Sequence, residues 1–146
     1  MSAHAVDAGC MTDNAQRHQI STDPDWYEPY AISQAIRLED LVFVSGQSGI
    51  DEAGVTVSAD FDTQARQAFN NLERILRQAG TGLEHVVKVT IFVTDISVID
   101  QVVALRQEFF SKPYPADTIA QVASLASSDW KIEIEAIAFV PSGEGQ

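Results

Sequence analysis

Two glutamates near the carboxyl end of the chain have the spacing for acid–base chemistry. Glu133 and Glu135 lie two residues apart in the segment 131–140, where the residues alternate as in a β-strand. On a strand, two such side chains point to the same face about 7 Å apart. A carboxyl group that loses water near a second acid has a raised pKa, which suits general acid–base catalysis near neutral pH. Taken alone, the pair favours a solvated strand edge, because glutamate is rarely buried unless it is paired.

A serine and a glycine follow a second apolar segment and could shape a site. Ser45 and Gly46 come directly after the run 41–44. A glycine at a strand end lets a ligand approach the backbone closely. The same residue is equally typical of a strand that breaks into a turn.

Other residue types that often carry chemistry lack the required spacing. His4 and His18 lie in the N-terminal segment and His85 precedes a predicted strand, so the sequence contains no metal-ligand spacing and no Ser-His-Asp arrangement. The glycines form no phosphate-binding loop, and the single Cys10 cannot form an internal disulfide. The sequence therefore predicts neither a metal nor a cofactor.

Size and charge restrict the expected partners. The chain has 146 residues, which fits one domain, and a formal net charge of -12. This charge repels phosphate backbones and anionic lipid, so neither nucleic acid nor a membrane surface is expected as a partner. No apolar run approaches the roughly 20 residues of a membrane span, and the first residues do not resemble a secretory signal. These features predict a cytoplasmic protein.

Seven elements are predicted to position these residues. Residues 1–23 lack periodicity and are predicted to be a flexible extension, followed by one domain over 24–142. Apolar residues three or four apart predict a helix over 62–79, and a second, broadly apolar helix precedes Pro113. The order is β-β-α-β-α-β-β, an α+β fold, with an optional short strand over 55–57. The five main strands are predicted over 32–37, 41–45, 86–94, 118–124 and 131–140.

Several of these segments together resemble the RidA family, also called YjgF or reactive intermediate deaminase. The motifs are Leu41-Val42-Phe43-Val44-Ser45-Gly46-Gln47, the helix over 64–80, the strand over 86–95, Tyr114-Pro115-Ala116-Asp117 and Lys131-Ile132-Glu133-Ile134-Glu135-Ala136. The resemblance covers about residues 32–140. It implies a chorismate-mutase-like fold, with a mixed sheet and two helices on one face, assembled as a homotrimer with sites between neighbouring subunits.

Three residues match family positions that face the substrate. The resemblance implies that Glu133 holds or activates the water that attacks the imine carbon. It also implies that main-chain groups at Ser45 and Gly46 face the pocket. Some members of the family carry a ribonuclease label, which the net charge of -12 and the lack of a Lys/Arg cluster do not favour here.

At three other positions the chain departs from the family. Asp117 takes the place of an arginine that grips the substrate carboxylate, Ile119 that of a cysteine, and Val103 that of an asparagine. The lost charge-assisted hydrogen bonds are worth about 1.5–3 kcal/mol each, so affinity for a 2-imino acid is expected to fall about 100-fold or more. If Asp117 faces the pocket, a neutral or cationic amine, imine or enamine is the expected ligand. The alternative is that Asp117 only caps or turns the chain after Pro115.

A tyrosine that closes the pocket in the family is also displaced. It falls at Ile32 when Ser33 and Gln34 are matched to the family's Ser-Gln pair, and Tyr30 or Tyr27 could reach the same space. The implied substrate-binding set is Ser45, Gly46, Asp117, Ile119, Val103, Ile32 and Tyr30, beside Glu133 as the catalytic residue.

Three functions are compatible with these residues. The first is a family hydrolase that converts enamine or imine intermediates to a carbonyl compound and ammonia without a cofactor, acting on a substrate that is not an ordinary 2-imino acid. The second is a trimeric small-molecule-binding protein that has lost catalysis. The third is a catabolic-pathway deaminase of the same fold. Fold alone does not decide among them.

Overall fold

The computed structural model describes residues 16–143, and His4 and Cys10 lie outside this range. Within it, six strands form one mixed sheet, and two α-helices pack against it. The strands are β1, His18–Ile20; β2, Ala35–Leu38; β3, Leu41–Ser48; β4, Val86–Val93; β5, Ala116–Gln121; and β6, Ile132–Phe139. The α-helices are α1, Phe61–Gln78, and α2, Ile99–Phe109, and short 3-10 helices occupy Glu28–Tyr30, Leu83–His85 and Ile96–Val98.

The sheet has the strand order β1-β2-β3-β6-β4-β5. Strands β4 and β5 run parallel, whereas all other neighbours are antiparallel. A parallel pair requires a long crossover connection, and α2 lies in the connection from β4 to β5. The predicted α+β class is confirmed, and the last strand of the chain is an inner strand of the sheet.

Helix α1 begins and ends close to its predicted limits. Oδ2 of Asp60 accepts a hydrogen bond from the backbone N–H of Thr63 at 2.9 Å, which satisfies one of the free N–H groups of the first turn. Gly80 follows the helix with a φ of 84°, a left-handed conformation that glycine adopts without steric cost. On the buried face, Phe69 stacks on Phe109 of α2 with ring centroids 4.5 Å apart, so the two helices share one core.

The side chains of strand β6 alternate between the core and the opposite face of the sheet. Ile132 and Ile134 are fully buried, and Ala136 and Ala138 continue the same buried row next to α1. Successive side chains on a strand point to opposite faces. Glu133 therefore points away from the helices.

The sheet begins earlier in the chain than predicted. Strand β1 lies inside the predicted flexible extension 1–23 and pairs antiparallel with β2. Thr22 is buried, and its backbone N–H donates to Oε1 of Gln34 at 2.7 Å. The prediction is therefore wrong for this strand, because three residues can pair through their backbone without any alternation of apolar side chains.

Several other predicted boundaries also differ from the structure. The strands predicted over 32–37 and 118–124 form at Ala35–Leu38 and Ala116–Gln121. The segment 55–57 forms no strand, and an isolated bridge joins Ile50 to Thr56. Strand β3 continues to Ser48, beyond its predicted end at residue 45. Because Ser48 is polar and nevertheless fully buried, its residue type gave no indication of a core strand.

Candidate functional site

A β-bulge in β3 carries Ser45 and Gly46. Between Val44 and Gln47 the register of β3 with β6 shifts, so that β3 uses one more residue than its neighbour. The hydroxyl group of Ser45 donates to the carbonyl oxygen of Ser33 at 2.6 Å. The bulge thereby fixes the backbone that the sequence predicts to face a pocket.

The side chain of Glu133 lies directly over this bulge. A Cβ atom added at Gly46 would stand 1.9 Å from Oε1 of Glu133 and 2.8 Å from its Cγ. Glycine is therefore required at this position if Glu133 is to keep its conformation. Desolvation raises the pKa of Glu133, and the nearby charge of Glu135 raises it further. This is the direction that suits acid–base catalysis near neutral pH.

Tyr27 contacts the same bulge from a buried position. Its hydroxyl group donates to the carbonyl oxygen of Gly46. Burial raises the pKa of Tyr27, with a smaller contribution from the charge of Glu133, so the phenol stays protonated at neutral pH. Of the two tyrosines considered from the sequence, Tyr27 reaches the backbone at Gly46, whereas Tyr30 is 68% exposed.

A cavity of about 500 Å³ surrounds these groups. Five residues of the predicted site line it: Tyr30, Ile32, Ser45, Gly46 and Glu133. The structure thus brings the predicted catalytic residue together with four predicted contact residues. A cavity of this size is in the range that takes a small molecule.

One wall of this cavity was not predicted as part of the site. Asp129 and Trp130, in the loop before β6, line the cavity. The buried Gln64 of α1 fixes this loop, because its Nε2 donates to the carbonyl oxygen of Asp129 at 2.8 Å and its Oε1 accepts from the backbone N–H of Lys131 at 2.9 Å. A glutamine next to the apolar stripe of α1 is the signal that could have indicated this role.

A second cavity, of about 220 Å³, lies between α2 and β5. Val103 and Asp117, two more residues of the predicted set, line it together with Arg106 and Tyr114. Ile119 lines neither cavity, because it packs against the hydrophobic core. The predicted substrate-binding residues are therefore divided between two places.

Asp117 is neither a turn residue nor an unpaired acid. It lies within β5, and its Oδ1 accepts a hydrogen bond from Nη2 of Arg106 at 2.5 Å. The cationic ligand that the sequence predicts if Asp117 faces the pocket is therefore not favoured, because the guanidinium group of Arg106 balances the charge of the carboxylate. The sequence did not reveal this pair, since Arg106 belongs to the pattern of α2 and Asp117 to that of β5.

The two cavities lie on opposite sides of the sheet. Asp117 contacts Arg106 of α2, so its side chain is on the face that the helices cover. Glu133 is on the other face. Within one chain, the acid–base group and the Arg106–Asp117 ion pair do not meet.

Among residues 16–143, no three His, Cys, Asp or Glu side chains are grouped so that they could hold a metal ion. None of the helices in that range has the length and apolar character needed to cross a bilayer.

The chain is similar to proteins of known family. The family model described as Endoribonuclease L-PSP matches residues 21–140. The RutC family protein y4sK of Sinorhizobium fredii is 44% identical over 121 residues, which cover 81% of this chain and 94% of that protein. The human 2-iminobutanoate/2-iminopropanoate deaminase is 37% identical over 125 residues, which cover 84% of this chain and 89% of that protein.

The likeness extends to solved structures. The crystal structure of RidA from Psychrobacter sp. PAMC 21119 superposes with a TM-score of 0.78 at 34% sequence identity, over 84% of this chain and 98% of that chain. The sheet and helices described for this chain are thus those of a known fold.

Proposed function

Since this chain belongs to the RidA/YjgF/L-PSP family, we propose that it hydrolyses enamine or imine intermediates to a carbonyl compound and ammonia. One observation carries the proposal: the partly desolvated carboxylate of Glu133, whose pKa is raised, lies over Gly46 in a cavity of about 500 Å³. A relative that is 37% identical is named as a deaminase of 2-imino acids, which supports the same reaction class.

The chemistry needs one group that accepts and then returns a proton. The carboxylate of Glu133 takes a proton from water as the oxygen bonds to the carbon of a protonated imine, which gives a carbinolamine. The protonated Glu133 then gives that proton to the nitrogen, and the C–N bond breaks as the carbinolamine hydroxyl group gives its proton back to the Glu133 carboxylate and the carbonyl forms. The departing ammonia takes this proton and leaves as ammonium. Water and imine supply all the atoms of both products, so the reaction requires no cofactor. A carboxyl group with a raised pKa can perform both transfers near neutral pH.

We do not propose ribonuclease activity, although the family description names an endoribonuclease. The formal net charge is -12, and nucleic-acid binding depends on cations that neutralise phosphates. Cytoplasmic localisation stays a prediction from the sequence.

We further propose a homotrimer with the site between subunits, as the family resemblance implies. Two features support it. The resemblance implies that Glu133 and Asp117 contact one ligand. Because the two lie on opposite faces of one sheet, only a second chain can bring them together. The face of the sheet opposite the helices also carries exposed apolar side chains that a neighbour could cover, namely Leu41, Phe43 and Phe139.

We expect light scattering of the native protein to give the mass of three chains of 15.9 kDa each. Phe43→Glu should shift the mass toward the single chain, because it places a charge on the face that a neighbour would bury. Val55→Glu is the matched control, since Val55 is 59% exposed and lies outside the sheet. A wild-type mass of one chain would contradict the shared site.

The reaction is tested by imine clearance. An amino-acid oxidase generates imines that carry a carboxylate, and an amine oxidase generates imines without one, each in the presence of semicarbazide. The initial rate of semicarbazone formation measures the imine that escapes hydrolysis. The wild-type protein is expected to lower this rate in proportion to its concentration. Imines with and without a carboxylate are compared, because the arginine of the family is absent at Asp117.

A second candidate is a small-molecule-binding protein without catalysis. The apolar Val103, which lines the second cavity at a position where the family resemblance implies an asparagine, favours it. It predicts that a ligand raises the unfolding temperature, while the rate of semicarbazone formation stays equal to that without protein.

A further inference from the structure

The cavity between α2 and β5 contains an ion pair among largely apolar walls. Arg106 and Asp117 are each about one-fifth exposed, with side-chain exposures of 22% and 20%. Val103, Phe110 and Tyr114 supply apolar surface around them. Every other ion pair within residues 16–143 has both side chains at least one-third exposed. The Arg106–Asp117 pair is therefore the most desolvated one in that part of the chain.

The ion pair has zero net charge and keeps unused hydrogen-bonding capacity. A guanidinium group has five N–H donors and stays protonated in proteins. One bond to Oδ1 of Asp117 is formed, and Nε of Arg106 is buried without a partner within the described range. Across residues 16–143, no hydrogen bond to Oδ2 of Asp117 is formed either. Nε is too deeply buried for a ligand to reach. The free N–H groups on the two Nη atoms of Arg106 and the free Oδ2 of Asp117 are therefore the groups left for a ligand at this cavity wall.

We propose that the Arg106–Asp117 pair is a subsite for an uncharged group that has an acceptor and a donor next to each other, of which a carboxamide is the simplest. This inference rests on the proposed function and on the proposed homotrimer, in which this cavity of one chain meets Glu133 of a neighbour. It specifies the substrate class: an imine or enamine with a carboxamide in place of the carboxylate. The carboxamide oxygen accepts from a guanidinium N–H, and its NH₂ group donates to Asp117.

Charge balance favours the amide over either ion. A carboxylate ligand is attracted by Arg106 and repelled by Asp117 from nearly the same distance, so the two effects largely cancel while the ligand still loses its hydration. An ammonium ligand is attracted by Asp117 and repelled by Arg106, so these two effects also largely cancel. A carboxamide loses less hydration and gains two hydrogen bonds to charged partners, each worth about tenfold or more in affinity.

The competing interpretation is that the ion pair only ties α2 to β5. In that case its removal changes stability and leaves ligand preference unchanged. Preference between two ligands of the same size is therefore the quantity that separates the two interpretations.

The test compares 2-oxopropanamide with pyruvate, which differ only in the amide and carboxylate groups. Ligand-observed NMR titrations of the full-length protein give both dissociation constants. The wild type is expected to bind the amide about tenfold or more tightly than the acid. Asp117→Asn leaves the charge of Arg106 uncompensated, so the preference should reverse in favour of pyruvate by about tenfold or more.

Two further variants complete the design. Asp62→Asn removes the carboxylate of a different ion pair, Arg66–Asp62 on α1, in which both side chains are about half exposed. The ratio of the affinities for the amide and the acid should therefore stay at the wild-type value. The double substitution of Arg106→Gln with Asp117→Asn removes both charges and should abolish the preference. It also tests the proposal if Asp117→Asn alone does not fold.

Three results would overturn the inference: binding of neither ligand, a wild-type preference for pyruvate, or an equal ratio in the wild type and Asp117→Asn. The imine-clearance assay is independent of this ratio. A protein that clears imines without the amide preference retains the proposed function and loses this inference. The amide preference without clearance supports the subsite and removes the hydrolase.

Discussion

Replacing Glu133 by glutamine is expected to lower kcat for imine hydrolysis by about 10²–10⁴-fold, the usual contribution of one positioned acid–base group. Glutamine keeps the size of the side chain over Gly46 but cannot take a proton from water. Desolvation, and then the charge of Glu135, raises the pKa of Glu133. The acidic limb of the wild-type pH–kcat/KM profile, which reports the ligand-free protein, is therefore expected at higher pH than for an ordinary glutamate, and it should be absent in Glu133→Gln.

Glu135→Gln is the matched control, because Glu135 lies two residues away on the same face and is exposed. Its removal eliminates a like charge, which lowers the pKa of Glu133 and moves the acidic limb to lower pH. The rate at neutral pH should stay within about tenfold of the wild type, since no catalytic group is lost. Equal losses in the two variants, or a Glu133→Gln rate within tenfold of the wild type, would remove Glu133 from the reaction.

Loss of the fold does not account for the expected effect of Glu133→Gln. Because the folded-state pKa of Glu133 is raised, the folded protein holds this proton more tightly than the unfolded chain. The ionised carboxylate therefore costs stability above the folded-state pKa, and that cost disappears below the unfolded-state pKa. Glutamine removes the cost, so the unfolding temperature at neutral pH should be equal to or higher than that of the wild type.

The elements that could be predicted from the sequence are those whose alternation of buried and exposed residues lies within the element itself. The sequence predicts helix α1 over 62–79 and it forms at Phe61–Gln78, because its apolar stripe lies within the segment and the Asp60 cap directly precedes it. Strand β4 was predicted over 86–94 and forms at Val86–Val93 for the same reason. Strand β1 was missed, because its three residues are held by backbone pairing with β2 and not by a buried face.

The same distinction applies to the candidate site. Gly46 and Glu133 could be proposed from the sequence because each lies in a recognisable motif, although their contact across β3 and β6 became visible only in the structure. The partner of Asp117 could not be predicted. Arg106 lies eleven residues earlier, on a helix that crosses from β4 to β5, and pairing between elements depends on how they pack. The cavity between α2 and β5 has a balanced charge only because Arg106 and Asp117 form this ion pair.

Replacing Gly46 by alanine is expected to lower kcat by about 100-fold or more, because a displacement of about 1 Å at a catalytic group can cost that much. The new Cβ atom would stand 1.9 Å from Oε1 of Glu133 and 2.8 Å from its Cγ, so the carboxylate must move away. The backbone does not have to move with it, since a flexible side chain can yield at a cost of about 0.5–1.5 kcal/mol. Activity should therefore fall far more than the free energy of unfolding, as measured by kinetics and denaturant titration of the same preparation.

The double variant shows whether Gly46 acts through Glu133. If alanine at this position only displaces the carboxylate, Gly46→Ala should cost little or nothing further once Glu133→Gln is present, because two changes to one interaction are not additive. If instead the substrate needs close access to the backbone at Gly46, the alanine substitution should cost about the same factor in both backgrounds and should raise KM as well. Kinetics of the wild type, the two single variants and the double variant therefore distinguish a glycine that makes room for the acid–base group from one that makes room for the ligand.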